Sequence, residues 1–386
     1  MASVICRRSQ RLILNFGDTV AAHVRSMASE VGGVVPKQEL REFVKRCMMT
    51  VGSKRDHAES LAELLVAADY RGHFSHGLNR LDMYINDVKT GITVSDKEPS
   101  LEKQTAATAL IDGNNVLGPV VGKLAMDTAI HKAQTAGVGW VTCKGSNHFG
   151  IAGWYSMRAA EKGLLGMAFT NTSPLVFPTR AKQPILGTNP ISLAAPANDG
   201  DSFVLDMATS TAALGKIELH DRKNIPIPNG WGANSEGKET NEPAEVLNGG
   251  GQLPLGGSEL TGGYKGYGLA MMVEIFCGIL GGAAYGPNVR KWRTSDEIAN
   301  LGHCFVAIDP EAFAPGFRDR MSDLMSICRG LEPISGETEV LVAGDPERQH
   351  MAKCDAAGGI PYHPNQIKFA NDIAEKLSIA PMKLKS

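Results

Sequence analysis

The chain has 386 residues, 43% of them apolar and 21% charged, with a formal net charge of -2 and seven scattered cysteines. That length suits two or three domains, each able to bury a core, and the near-neutral balance without blocks of like charge argues against a nucleic-acid partner. An odd, scattered cysteine set without a CxxC pair supports neither a disulfide framework nor a thiolate zinc site, and a reducing compartment fits best.

In chain order, residues 1–34 read as an N-terminal extension. Arg7, Arg8, Arg11 and Arg25, with no acid before Asp18, suit an organelle transit segment as well as a frayed tail, and Met27 offers a second start. The expected location is therefore the cytoplasm or the mitochondrial matrix. Leu40, Phe43, Val44 and Cys47 then mark one buried helix face, and Ala58, Leu61, Leu64, Leu65 and Ala68 a second. The polar stretch "DYRGHFSHGLNR" separates them from a third helical pattern through Leu81 and Tyr84, stopping near Gly91.

From residue 107 the pattern changes. "TALIDG" reads as strand and turn, "GPVVGKLAMDTAIHKAQTAGVG" as a helix stopped at Gly137, and "VGWVTC" as the next strand. A helix over Ala152–Lys162, strands over Leu165–Thr170, Ile191–Ala195 and Phe203–Met207, and a helix over Thr211–Asp221 follow. Residues 221–263 read as one long ordered loop, uncommon in a compact domain and usually functional. The apolar run Gly268–Ala284 carries Glu274 near its middle, which suits a buried core helix better than a membrane span. "HCFVAID" gives a late strand and Phe317–Cys328 a helix. Interleaved strands and helices imply an α/β fold with a mixed sheet.

The familiar signatures GxGxxG, GxxxxGK[ST], HExxH and GxSxG are absent. Five weaker stretches remain. "SHGLNR" places Ser75, His76 and Arg80 together; an arginine fork suits a carboxylate, and a histidine beside it suits proton transfer at the next carbon. A solvated arginine behind a Ser75 helix cap explains the same letters. "CKGSNHFG" puts His148 at the end of a strand, where α/β sheets hold ligands, although a lone histidine is more often structural. "TNTSP" (170–174) and "LDMATS" (205–210) end strands in short polar groups, and "GYKGYG" (263–268) sets Lys265 at a helix start suited to phosphate. Each also reads as turn or cap chemistry. A metal held by His76, His148 and Asp206 is conceivable, but no spacing demands it.

Read together and in order, "SHGLNRLDMY", "DGNNVLGPVVG", "GSNHFGIAGWY", "LGTNPIS", "FVLDMATST", "GKIELHDRKNIPIPNGWG", "PLGG" and "YKGYGLAMMVEI" resemble the type-2 malate/L-lactate dehydrogenase family. That family also takes in malate/L-sulfolactate and ureidoglycolate dehydrogenases and diketogulonate reductase. The resemblance runs from about residue 36 to 375 and implies a non-Rossmann NAD(P)-binding α/β domain over 107–344. Residues 35–106 with 345–380 would form a smaller, mostly helical substrate and dimerisation domain. It further implies hydride transfer between NAD or NADP and a small 2-oxo/2-hydroxy acid pair, most simply malate/oxaloacetate, in a homodimer with no nucleic-acid or membrane partner.

By the same resemblance His148 is the acid/base group, with His76 its competitor. Ser75, Arg80 and Tyr84 form the substrate pocket; Thr172, Asp206, Met207, Ala208, Lys265 and Gly266 contact the cofactor, as do Gly336 and Glu337 of "SGE". No metal is expected. The N-terminal extension and extra residues around "GGSELTGG" depart from the family pattern. The other readings are a reductase of a cyclic imine or a sugar-derived keto acid, a metal-dependent hydrolase using His76 and His148, and a non-catalytic binding protein.

Overall fold

The computed structural model describes residues 31–291, 294 and 297–385. The expected transit segment, its arginines and Met27 lie outside the described residues. Strand β1 (Gly33–Val35) leads into helices α1 (Lys37–Thr50) and α2 (Arg55–Tyr70). The residues expected to line one face of each helix are fully buried, as the 3.6-residue period requires. A short α3 (Leu81–Lys89) follows the polar loop and stops before Gly91, which is left-handed at φ 76°.

The main sheet begins with β2 (Ser100–Gln104), which the sequence pattern had not marked, and β3 (Thr108–Asp112). It continues through α4 (Gly118–Ala136), β4 (Val138–Ser146), α5 (Gly153–Ala160), β5 (Leu165–Thr170), β6 (Ile191–Pro196), β7 (Ser202–Met207) and α6 (Leu214–Arg222). Residues 221–263 are not one irregular loop. They build a small antiparallel sheet from β8 (Gly232–Ala233), β9 (Glu239–Thr240) and β10 (Gly251–Gln252), with α7 (Pro243–Leu247) between the last two. Strands of two residues carry no period, so no pattern announces them.

Helix α8 (Gly263–Glu274) runs on into a π-helical turn over Ile275–Ile279. It is not a wholly buried core helix as expected: Met271, Ile275, Ile279 and Leu280 are exposed while Ala270, Val273, Glu274 and Cys277 are buried. Strand β11 (Leu301–Ile308) then returns to the middle of the main sheet, whose order is β2-β3-β4-β11-β5-β6-β7. Only β3 and β4 run parallel; the other neighbours are antiparallel, so the sheet is mixed. Because β11 is central, both its faces are covered. Phe305 and Ala307 pack with Val121, Ala125 and Ala129 of α4, while Cys304 and Val306 pack with Val273 and Cys277 on the other side.

The chain ends with α9 (Phe317–Arg329), α10 (Asp345–Ala357), β12 (Ile360–Tyr362) and α11 (Pro364–Lys376). β12 pairs antiparallel with β1, and α1–α3, β12 and α11 share one apolar core that includes Phe43, Leu61, Leu81, Tyr362 and Ile373. The opposite face of α2, through Leu64 and Ala68, packs on Ile151 and Trp154 just past the His148 turn. Among the described residues no helix is long and apolar enough to cross a membrane.

Candidate active site

Strand β4 delivers the chain to Asn147–Gly150, and the turn is clamped on three sides. Buried Asn147 donates to the carbonyls of Asn115 and Val116 at 3.2 and 2.9 Å. Gly118, opening α4, lies so close that a Cβ there would come within 2.3 Å of the His148 carbonyl oxygen. Gly150 is left-handed at φ 76°, and a Cβ on it would meet Leu64 at 2.4 Å. The small residues around His148 are thus a packing requirement, and they hold its ring still.

That ring meets Tyr84 and His76. The Tyr84 hydroxyl lies 2.6 Å from His148 Nδ1. The imidazole of His76 is near-parallel to it, with ring centroids 5.8 Å apart. The next residue, Phe149, stacks on His303, an imidazole sealed between Thr170 Oγ1 and Ser146 Oγ, each at 2.7 Å. Burial drives the His303 pKa down to about 3, so it is a neutral structural group. Burial first, then the neighbouring His76, Arg80, His303 and Arg290, hold the His148 pKa well below the ordinary imidazole value. His76 is lowered to about 4, by burial and then by Arg80 and His73.

The "SHGLNR" loop is fixed from behind by Asp69. Its Oδ2 accepts from the Leu78 N–H at 2.9 Å and from the Tyr362 hydroxyl at 2.5 Å. Gly77 sits against the same carboxyl, which burial raises to about 7. Ser75 Oγ is 2.9 Å from His76 Nδ1, and Arg80 Nε donates to the Ser75 carbonyl at 2.6 Å. The loop therefore brings Ser75, His76 and Arg80 to the same place as Tyr84 and His148.

A second group of residues assembles through hydrogen bonds. Thr172 Oγ1 accepts from the Thr188 N–H at 2.9 Å, and the Thr188 carbonyl accepts from the Thr209 N–H at 2.8 Å. The Thr209 carbonyl accepts from the Leu255 N–H at 2.8 Å, and Gly266 lies tight against Leu255, where a Cβ would come within 2.3 Å of its oxygen. Thr172, the Asp206–Ala208 stretch and the Lys265–Gly266 helix start thereby become one continuous surface. Asp206 ties this surface to the start of α5, just past the His148 turn: its Oδ2 accepts from the Gly153 N–H at 2.7 Å, and burial raises its pKa to about 6. A cavity of about 680 Å³ opens against Pro174, Leu175, Leu214 and Arg222, and none of Thr172, Asp206–Ala208, Lys265 and Gly266 lines it.

This surface fits a dinucleotide. Lys265 is exposed at the positive end of α8, where a phosphate is favoured, and threonine hydroxyls and a carboxylate suit ribose. Gly336 and Glu337 are not brought in: they lie on an exposed turn closed by the Glu337 N–H to the Ile334 carbonyl at 3.0 Å. His76, His148 and Asp206, the conceivable metal set, do not form a group that could hold an ion among the described residues; Asp56, His57 and Glu98 do. Sequence reading missed Arg290, which pairs with Asp87 at 3.0 Å and acts on His148, and also His303, Asp69 and the ties of Glu274. Polar letters inside apolar runs were the available signal for His303 and Glu274; Arg290 offered none.

Comparison with known proteins places the chain. Residues 35–369 match the model of the family described as malate/L-lactate dehydrogenase. The malate dehydrogenase of Pyrococcus abyssi is 39% identical over 353 residues, 91% of this chain and 96% of that protein. The structure of malate dehydrogenase from Pyrococcus horikoshii OT3 superposes with a TM-score of 0.83 at 38% identity, covering 90% of this chain and 96% of that one. That of Entamoeba histolytica malate dehydrogenase gives 0.85 at 31% identity, covering 90% and 98%. Other relatives bear the names L-sulfolactate dehydrogenase, ureidoglycolate dehydrogenase (NAD(+)) and (2R)-3-sulfolactate dehydrogenase (NADP(+)). By family model, by sequence and by superposition, the chain belongs to the malate/L-lactate dehydrogenase family of oxidoreductases.

Proposed function

We propose that the chain moves a hydride between NAD(P) and a small 2-oxo/2-hydroxy acid pair, with malate/oxaloacetate or a close L-2-hydroxy acid as the leading candidates. The carrying observation is geometric. Arg80, bonded to the Ser75 carbonyl, belongs to the same cluster as His76 and the Tyr84–His148 pair, so a fork suited to a carboxylate lies beside groups suited to proton transfer. Arg80 is suited to the carboxylate at C1, because its planar fork matches two oxygens. Relatives named malate and L-sulfolactate dehydrogenase support an acid with a second anionic group.

When bound, the nicotinamide accepts or supplies the hydride. His148 does the proton work. In oxidation, neutral imidazole takes the proton of the C2 hydroxyl as the C2 hydrogen leaves with its electron pair; in reduction the imidazolium returns a proton to the forming alkoxide. Tyr84 can partner both states, since a phenol donates to a neutral ring nitrogen and accepts from a protonated one. His76, stacked beside it, remains the alternative proton carrier.

The dinucleotide is inferred to lie on the Thr172, Asp206–Ala208 and Lys265–Gly266 surface without a Rossmann crossover. The single parallel pair in the sheet and the missing GxGxxG support this. The helical part built from both chain ends is inferred to be the substrate domain, and the exposed face of Met271, Ile275 and Ile279 supports a homodimer. The test is a panel of 2-oxo acids and one cyclic imine, each with NADH and NADPH, followed by loss of nicotinamide absorbance. Turnover of a four-carbon dicarboxylate above a monocarboxylate is expected. Turnover of the imine alone would defeat the assignment.

A further inference from the structure

Glu274 is a carboxylate in an apolar helix, only 3% exposed, and it touches neither half of the site directly. Its Oε2 accepts from Asn171 Nδ2 at 3.1 Å and its Oε1 from Asn189 Nδ2 at 2.9 Å; the Gly286 N–H lies 3.4 Å from Oε2. Both asparagines are fully buried. Their orientation is dictated from elsewhere. Asn189 Oδ1 accepts from the Thr172 N–H at 3.0 Å, and Asn171 Oδ1 accepts from the Gly302 N–H at 2.9 Å. A backbone N–H can only donate, so each amide must give it the oxygen and turn its NH2 towards Glu274. Only a side chain that accepts on both oxygens satisfies the pair, and that is a carboxylate.

We propose that Glu274 is a positioning residue for the dinucleotide side of the site: through Asn189 and Asn171 it sets where the 170–172 turn sits. This rests on the reading of Thr172 as a cofactor contact. The assembly has no slack for repacking. A Cβ on Gly187 would come within 2.3 Å of Thr172 Oγ1 and 2.4 Å of Asn189 Oδ1, so the two loops are already in contact. Asn189 itself is held at φ 34°, a left-handed geometry that its bonds to Ala270, Glu274 and Thr172 sustain.

The test exploits donor and acceptor polarity. Glu274→Gln keeps the size but must aim an NH2 at one of the two amides. Oε2 serves both Asn171 and Gly286, so the conflict falls on Asn189 and hence on Thr172. The dissociation constant of NADH and of NADPH, read by nicotinamide fluorescence without turnover, is expected to rise about tenfold or more. Adding Asn189→Asp to that variant supplies a carboxylate that accepts from both the Thr172 N–H and the new amide, at the cost of turning an oxygen towards the Ala270 carbonyl that the Asn189 amide served. Affinity should return in part, above that of the single variant. Asn189→Asp alone sets two carboxylates face to face and should bind more weakly than the parent and the double variant.

General loosening would not produce that reversal, and thermal melts of all three variants show how much each is loosened. An unchanged dissociation constant in Glu274→Gln, or a double variant no better than the single, overturns the proposal. If Glu274→Gln does not fold, the double variant must still bind more tightly than Asn189→Asp, and failing that the proposal falls. Thr172→Val separates the layers: unaltered dinucleotide affinity there removes the cofactor reading and this inference with it. A weakened Thr172→Val beside an unaltered Glu274→Gln removes the inference alone.

Discussion

The two halves of the site are held by a different balance of forces. The turn that carries His148 is fixed mainly by contact, Gly118 against its carbonyl and Gly150 against Leu64, with Asn147 bonded to the Asn115 and Val116 carbonyls. The turn that carries Thr172 is fixed by a relay of side-chain hydrogen bonds through Thr188, Thr209, Asn189 and Glu274. Contact punishes an added atom whatever its polarity; a relay punishes a reversed donor whatever its size. An acid/base pair must stay within tenths of an ångström of a reacting atom, which suits the first kind of support. A long cofactor that arrives and leaves suits the second.

The largest effect should come from removing the proton carrier. His148→Ala is expected to cut turnover about 100-fold or more while the dinucleotide still binds, because a lost acid/base group touches only the chemical step. His76→Ala, measured beside it, should keep most of the turnover. The opposite pattern would move the proton role across the stack to His76 and leave His148 as its support.

Next in size is Arg80→Lys. An ammonium cannot make the paired planar bonds, and a charge-assisted bond in a desolvated site contributes about 1.5–3 kcal/mol, one to two decades in kcat/KM. The loss should appear with every 2-oxo acid and leave NAD(P)H affinity unchanged. Loss of the dinucleotide instead would place Arg80 on the cofactor side and blur the division drawn above.

The acidity of His148 gives a graded check. Its pKa lies below the usual 6.5, so the free enzyme holds it neutral at pH 7. With a 2-hydroxy acid, kcat/KM should stay flat from about pH 7 to 9 and fall only as acid passes through the lowered value. With a 2-oxo acid the required proton grows scarce, and kcat/KM should drop about tenfold per pH unit over the same range. A break near pH 6.5 in either profile would mean an ordinary, unburied imidazole.

The smallest effects sharpen the contrast most. Gly150→Ala adds one methyl group to a left-handed position facing Leu64 and should reduce stability by about 2–4 kcal/mol, seen as a lower urea midpoint. Thr172→Val changes almost no volume but takes the acceptor away from the Thr188 N–H, so stability should drop by about 1–2 kcal/mol, less than for Gly150→Ala. Dinucleotide affinity should fall about two- to tenfold, the contribution of one hydrogen bond. Equal melting losses in both variants would erase the distinction.

Much of this was legible in the letters. Leu40, Phe43, Val44 and Cys47 gave away α1 because a buried stripe must recur every turn. His148, His76 and Arg80 stood out because strand ends and helix starts are where side chains reach a ligand. β2 was illegible for the opposite reason: all five of its residues are exposed at the sheet edge, so no alternation marks it. The relay from Thr172 to Gly266 was hidden too, since it depends on which loops meet, and no local pattern encodes that. Arg290 came from a stretch with no motif at all and reaches His148 only through the fold.

The pairing of β1 with β12, and the bond from Tyr362 to the carboxylate that braces Leu78, set a schedule for synthesis. The hydroxyl that helps fix the brace of the "SHGLNR" loop comes from a residue 293 positions after Asp69. Until residue 362 has emerged from the ribosome, the chain holds a nearly finished sheet and an unfinished pocket. A nascent chain stalled in α10 would carry His148 and is expected to bind no acid, so competence should arrive in one step once residue 362 is out.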